Sequence, residues 1–315
     1  LTILKKQFGT EWLNEISAAS LQFSIQCLDN AFKSFFKGQS HPRFKSKKNL
    51  KQSYTIPNSR IKIENRRLCI GKFWTRGIKI KLHRTVVGQV RRCTISKTST
   101  GKYFVSILSL QDYEPKAKTG IQIGIDLGLK DFVTLSDGVK YQNPRYLSIY
   151  QEQLSKAQRQ LAKKKIVSNR YNKQKLKVAK IYEKVKNSRA DFLHKLSTQI
   201  TNEHDTICVE SLNVSGMMKR EKSRKKKLAK HIADASWSSF LNFLGYKSDW
   251  NDRKLVKIDR WFPSSKTCFE CGNVNQNLSL SDRIWTCKNG HVLNRDANAA
   301  KNILREGLKS LSPGT

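Results

Sequence analysis

Residues 261–304 read WFPSSKTCFECGNVNQNLSLSDRIWTCKNGHVLNRDANAAKNIL and hold a set of metal-binding side chains and a carboxylate almost side by side. Cys268 and Cys271 form a C-x-x-C knuckle, which brings two thiolates to one soft cation at about 2.3 Å each. Cys287 and His291, in a C-x3-H arrangement, can close a tetrahedron from the far side; the alternative is a three-coordinate site with His291 as a plain surface histidine. Gly272, Asn273, Asn275 and Asn277 supply turn residues between the two halves. The donor set and ribbon-like spacing therefore call for structural Zn²⁺; unrelated thiols beside a surface histidine would have no reason to keep this spacing. Five residues beyond His291, Asp296 opens a helical run with Ala297, Ala300, Lys301 and Leu304, so a rigid clip would hold a carboxylate at a helix N-terminus.

Two other acids end apolar strands. In IQIGIDLGLKDFVTLS, Ile121, Ile123 and Ile125 alternate up to Asp126, Gly124 and Gly128 thin the backbone on either side, and a hairpin turn leads into Phe132-Val133-Thr134-Leu135. A carboxylate there is expensive unless it meets a cation. TICVE, residues 206–210, is a short apolar strand ending in Glu210. Asp259 ends the strand LVKID, but Arg260 beside it suggests an ion pair. If Asp126, Glu210 and Asp296 converge, repulsion would raise their pKa values and oppose folding without a cation. Carboxylate oxygens suit Mg²⁺ or Mn²⁺, and two such ions roughly 4 Å apart support in-line phosphodiester cleavage.

The composition points to a polyanionic partner. Among 315 residues, 61 Lys and Arg stand against 24 Asp and Glu, a net charge of +37. Self-repulsion of that size favours a chain that is neutralised by nucleic acid. No run of 18 or more apolar residues and no signal peptide is present, and Cys27, Cys69, Cys93 and Cys208 are scattered singly. The reading is a soluble chain of the prokaryotic cytosol, without a disulfide framework.

The remaining elements must position these groups. Leu21, Ile25, Leu28, Phe32 and Phe35 step at helical spacing before Gly38, which predicts an amphipathic helix with Phe32, Phe35 and Phe36 in a core. From about residue 54 to 110 the period is two, with turn signals between short runs, as in a small antiparallel barrel whose Lys62, Lys79, Lys81 and Arg91 face outward. Residues 143–200 read as a pair of helices turning at KKKIVSNR and starting near Pro144. They carry fifteen Lys and Arg and three acids. This basic rod offers Lys163, Lys164, Lys165, Lys173, Lys175 and Lys177 to phosphates. GMMKREKSRKKKLAK, with Lys225, Lys226 and Lys227, reads as a polar lid or unstructured phosphate-binding loop. A helix with Trp237, Phe240, Leu241 and Leu244 on one face follows.

The segments GIDLGLKDFVTLSDG, CVESLNV, the run from Ile232 through WFPSSKTC, and NRDANAAKNIL resemble the RuvC-type nuclease segments and interrupted zinc ribbon of TnpB, the transposon-encoded protein related to type V CRISPR effectors. The resemblance covers essentially the whole chain. It implies an α/β plus all-β architecture, with an RNase H-like (RuvC) nuclease domain carrying an inserted basic helical hairpin and a zinc ribbon. A small helical segment and an oligonucleotide-binding-type β-barrel precede that domain. The corresponding divisions are a helical recognition-lobe remnant at 1–44, a wedge barrel at 45–117, RuvC-like parts at 118–140, 203–262 (with the basic lid) and 293–315, the hairpin at 141–202 and the ribbon at 263–292. Asp126, Glu210 and Asp296 would be the metal-binding catalytic acids. The implied activity is RNA-guided DNA cleavage, with a guide RNA from the transposon end and a double-stranded DNA target; the oligomeric state is left open, with a monomer favoured. Two departures stand out. The family has a further strand and helices before the equivalent of Leu1, and its second knuckle is more often C-x-x-C than C-x3-H.

Three other readings compete. A nuclease-silent RNA-guided binder would be free to lose one of the three acids. A DNA-binding transposase could use the same carboxylates to join strands. A structural RNA-binding ribbon protein would explain the charge and the clip but leave the acids without a purpose.

Overall fold

The computed structural model describes residues 3–43, 52–57, 61–70, 74–219, 226–279 and 281–311. The chain divides into two compact units, Leu1–Asp112 and Tyr113–Thr315.

The first unit contains helix α1 (Ala18–Phe36) and strands β1 (Gln52–Pro57), β2 (Ile61–Glu64), β3 (Arg67–Ile70), β4 (Trp74–Lys79), β5 (Gln89–Lys97) and β6 (Tyr103–Leu110). Among the described residues the strands form two antiparallel sheets, β1-β5-β6 and β2-β3-β4. Alternation turns Ile56, Leu68, Ile70 and Cys93 inward to one shared core, so the expected barrel takes the form of two three-stranded sheets around that core. Helix α1 packs on β1. Phe32 and Phe35 are half-buried with their ring edges against His41. Phe36, expected in the core, is 79% exposed; it is the last helical residue, with its ring against those of Phe32 and Phe35.

The second unit is built on strands β7 (Gln122–Leu127), β8 (Asp131–Leu135), β9 (Lys140–Gln142), β10 (Thr206–Glu210) and β11 (Lys254–Ile258). They form one mixed sheet in the order β11-β10-β7-β8-β9. β7, β8 and β9 are antiparallel neighbours, whereas β10 runs parallel to both β7 and β11. The parallel crossover from β9 to β10 runs through α2 (Tyr146–Ile149), α3 (Gln151–Ala162) and α4 (Asn169–Glu203); α5 (Val214–Lys219), α6 (Lys226–Ala235) and α7 (Trp237–Trp250) lead to β11. At the start of the sheet, the carboxylate of Asp205 accepts the backbone N–H groups of Thr119 and Gly120 and pairs with the buried Arg253 guanidinium. Arg253 also donates to the Ala117 carbonyl at 2.7 Å. This network fixes where β7, β10 and β11 begin relative to one another.

One face of the sheet, with Ile123, Ile125, Ile207 and Val209, packs against Leu193, Leu196 and Ile200 of α4 and against Trp237, Phe240 and Leu244 of α7. On the opposite face lies α8 (Arg295–Lys309), whose Ile303 is buried with Cys208 and Ile258. Two glycines allow the helix to lie this close. A Cβ on Gly124 would fall 2.1 Å from the Ala300 carbonyl oxygen, and one on Gly307 would fall 2.4 Å from Cys208 Sγ.

The basic lid expected after Glu210 is helical on both described flanks, as α5 and α6. Ile232 and Ala235 of α6 are buried, and Asp234 pairs with Arg189 while accepting the Leu147 backbone N–H. These anchors lie just past the expected lid, in the helix that its last residues enter. Asp259 also differs from expectation: it accepts the Trp261 N–H at 2.7 Å, and Arg260 lies over the Trp261 ring instead of pairing with the acid.

Candidate active site and metal clip

Strand periodicity sets the first half of the site. In the β7–β10 pairing Gly124 stands opposite Cys208 and Ile125 opposite Val209. Gly124 and Cys208 face α8, so Asp126 and Glu210, two residues further along, face the same way on adjacent strands about 4.8 Å apart. Helix α8 crosses that face and begins there. Its N-cap, Asn294, accepts the Ala297 N–H at 3.1 Å, which leaves Asp296 in the first turn. Asp126, Glu210 and Asp296 line one cavity of about 420 Å³.

The electrostatics of this cavity fit a cation. Burial, followed by the charges of Glu210 and Asp296, pushes the Asp126 carboxyl up to about 7, although Arg295 and Arg283 pull it down. Burial also raises Glu210, and the Ser264 hydroxyl donated to its Oε1 partly offsets that. Asp296 is held by two guanidiniums, Arg283 at 3.0 Å and Arg295 at 3.4 Å. Three hard-oxygen donors line one cavity, and burial together with the other two acids raises the proton affinity of Asp126, so the site is one that a divalent ion would complete.

Ser264, Arg283, Arg295 and a further acid, Asp131, also line the cavity. None of them stood out in the sequence. Asp131 and Ser264 have ordinary local contexts, and the two arginines are lost among 61 basic residues.

The four clip residues come together as a separate cluster. One donor atom from each of Cys268, Cys271, Cys287 and His291 lies within 4.8 Å of the others. The separations are 3.7 Å for Cys271 to Cys287, 3.2 Å for Cys287 to His291 Nδ1 and 3.9 Å for Cys268 to His291 Nδ1. A tetrahedral Zn²⁺ site has donor–donor edges of about 3.6–3.8 Å, so the set fits that ion. Each knuckle turns at a glycine with positive φ, Gly272 and Gly290. Burial alone would raise the Cys287 thiol, but the backbone N–H groups of His291 and Asn289 and the His291 ring bring it down to about 6. The thiolate that a metal needs is thus already favoured. Strands β12 (Ile284–Thr286) and β13 (Val292–Asn294) form the ribbon hairpin, and β13 runs directly into α8.

The expected phosphate-binding lysines lie apart from the cavity. Lys163, Lys164 and Lys165 are exposed in the turn between α3 and α4, and Lys173, Lys175 and Lys177 are exposed on α4. Gln174 is buried against α3, where it donates to the Ala157 carbonyl. At 100° per residue the outer face of α4 then divides. Lys173, Lys177, Lys180 and Lys184 make one stripe, while Lys175 lies on the other flank with Tyr182 and Lys186. Lys225 and the side chains of Lys226 and Lys227 lie outside the described residues. No described helix is long and apolar enough to cross a membrane.

Comparison with known proteins adds an independent line. Residues 104–221 match the family described as "Probable transposase", and residues 237–303 match the Cas12f1-like TNB domain. A Streptomyces pristinaespiralis protein described as a "putative RNA-guided DNA endonuclease" is 38% identical, over 100% of this chain and 77% of its own length. The Escherichia coli K12 protein InsQ, described in the same words, is 31% identical over 98% of this chain and 79% of its own length. Among solved structures, a Cas12f1 chain from a complex with sgRNA and target DNA aligns with a TM-score of 0.42 at 16% identity, covering 85% of this chain and 73% of that one.

Proposed function

Since the chain belongs to the TnpB family of transposon-encoded RNA-guided DNA endonucleases, we propose that it is a divalent-metal-dependent nuclease that cuts DNA at the cavity formed by Asp126, Glu210 and Asp296. The observation that carries this reading is the convergence of the three carboxylates from two adjacent strands and one helix N-terminus. The strand order β11-β10-β7-β8-β9, with three antiparallel strands followed by two parallel ones, supports an RNase H-like nuclease core.

Asp126 and Glu210 from the sheet and Asp296 from α8 would hold Mg²⁺ or Mn²⁺. Such ions, when bound, lower the pKa of a water and stabilise charge on the scissile phosphate. The protein's own groups do the rest. Asp126, whose proton affinity is raised in the metal-free chain, would give up that proton to solvent in order to hold such an ion. Arg283 and Arg295 neutralise Asp296 while no cation is present, and they place two guanidiniums where a phosphate would approach. The lysines of α4 follow a nucleic-acid backbone without reading its sequence. Sequence would be read by a guide RNA from the transposon end pairing with the DNA target. The cysteine–histidine clip would hold Zn²⁺ as a structural cross-link.

The test is to purify the chain after expression with its neighbouring transposon-end sequence, extract bound RNA, and assay Mg²⁺-dependent cutting of a matching duplex. Guided cutting that Asp126→Ala, Glu210→Ala and Asp296→Ala each abolish, with RNA retained, is the expected result. Cutting that persists in all three variants would overturn the carboxylate assignment. The family description also keeps a strand-transfer reading in play. It predicts joined products that need both transposon ends, and these are separable from free cut ends on a gel.

A further inference from the structure

Glu210 is not held by its own strand alone. Its carboxylate accepts a hydrogen bond from Ser264, a residue 5% exposed in the loop that enters the metal clip. Ser264 is held in turn by α8. Asn302, in the middle of α8 and 1% exposed, donates its carboxamide Nδ2 to the Ser264 carbonyl at 2.9 Å and to the Thr267 carbonyl at 2.6 Å. One turn earlier, Asn298 donates to the same Thr267 carbonyl at 2.7 Å and accepts the Phe269 N–H at 2.8 Å. Thr267 and Phe269 flank Cys268, the first clip thiol. The helix that carries Asp296 thus also carries the amides that fix both the clip and the serine bound to Glu210.

Helix propensity does not explain two asparagines at i and i+4 on a buried helix face. A buried carboxamide is costly unless its donors are used. Here both Nδ2 donations of Asn302 go to loop carbonyls, so the residue acts as a bracket across two segments. We propose that Asn302 is a positioning residue for Glu210, acting through Ser264. It makes the orientation of one metal-binding carboxylate depend on the seating of the ribbon loop against α8. This inference rests on the three-carboxylate reading above. Hydrogen-bonded partners of metal-ligating carboxylates fix ligand orientation and typically change metal affinity when removed.

The experiment is a Mn²⁺ titration of the zinc-loaded chain, followed by electron paramagnetic resonance, on wild type, Asn302→Ala, Ser264→Ala, the double variant and Asp126→Ala. Zinc content and thermal midpoint are measured on each. The expected result is that Asn302→Ala keeps its zinc and folds but binds Mn²⁺ about tenfold more weakly. Ser264→Ala should show a comparable loss, and the double variant should lose no more than the larger single. An asparagine with a merely structural role would lower the midpoint without moving the Mn²⁺ affinity of the folded protein. If Asn302→Ala does not fold, Asn302→Ser, which leaves a smaller and polar gap, is read in the same way. Mn²⁺ affinity within about twofold of wild type in the Asn302 variant, or losses that multiply in the double variant, would overturn the inference alone. A wild type that binds no Mn²⁺, or that binds it no better than Asp126→Ala, would overturn the three-carboxylate reading and this inference with it.

Discussion

Gly124 in β7 lies directly beneath Ala300 of α8, with room for a hydrogen and no more: a Cβ there would sit 2.1 Å from the Ala300 carbonyl oxygen. Asp126 is two residues along the strand from Gly124, and Asp296 is one turn before Ala300. The close approach of these two backbones therefore sets the separation of two of the three acids. Gly124→Ala must push α8 off the sheet. The expected outcome is a loss of roughly 2–4 kcal/mol in stability and a loss of cutting out of proportion to the unfolded fraction. Denaturant melts alongside the cleavage assay check it, and wild-type activity in a folded variant would contradict it.

The raised pKa of Asp126 has a consequence with a definite sign. Between the ordinary carboxyl value of 3.8 and about 7, the folded chain keeps a proton that the unfolded chain has released. The stability of metal-free protein should therefore fall as pH rises through that window and level off above it. Glu210, also raised, acts in the same direction. Asp126→Asn should stabilise metal-free protein at pH 8 by roughly 1–3 kcal/mol and much less at pH 5. The same variant should bind no Mn²⁺. Urea melts at the two pH values decide it, and an equal effect at both would count against the electrostatic account. In wild type, Mn²⁺ affinity should rise from pH 6 to pH 8 as the competing proton leaves.

Zinc content should be close to one per chain, and Cys271→Ser should remove it. Since Asn298, Asn302 and Arg305 of α8 all bond to the loop around Cys268, loss of the ion should also loosen α8. The thermal midpoint should drop by several degrees, whereas Cys27→Ser, at an exposed thiol, should leave both zinc and midpoint unchanged. Elemental analysis with a thermal melt tests this. A metal-free chain with an intact ribbon would remove the clip from the account.

The two flanks of α4 should differ. Lys173, Lys177, Lys180 and Lys184 extend one stripe over about 16 Å of helix, whereas Lys175 stands on the other flank beside Tyr182. Reversing Lys173 and Lys177 to Glu should weaken RNA or DNA binding by about tenfold and reduce the salt dependence of log K by roughly one to two. Lys175→Glu should do much less. Filter binding across a salt series distinguishes them, and equal effects from both flanks would show that charge acts here without register.

Much of the site was legible in the chain before it folded, because its signals are local. The period-two runs before Asp126 and Glu210, the two Cys-containing knuckles, and the Ala- and Asn-rich helix after Asp296 each declare an element within a dozen residues, and a metal-binding tetrad or strand-end acid is defined by near neighbours. The expected lid and the expected ion pair of Asp259 were less legible. Composition predicts a polar loop over 216–230 where the described flanks are helical, as α5 and the start of α6, and adjacency suggests a pair where the Trp261 N–H takes the carboxylate instead. Phe36 reads as core in any helical wheel, yet it ends its helix in solvent.

What the sequence singled out by itself was the three acids, the four clip residues and the basic hairpin. Spacing within one element is enforced by covalent geometry and hydrogen-bond period. Only the tertiary structure decided that Gly124 admits Ala300, that Arg283 reaches Asp296, and that Asn302 grips the loop bearing Ser264. These contacts join residues far apart in the chain. The Gly124–Ala300 contact exists only once the sheet and α8 have packed, the Asn302 bond only once α8 has met the loop, and the Arg283 pair only once the β12–β13 hairpin has closed.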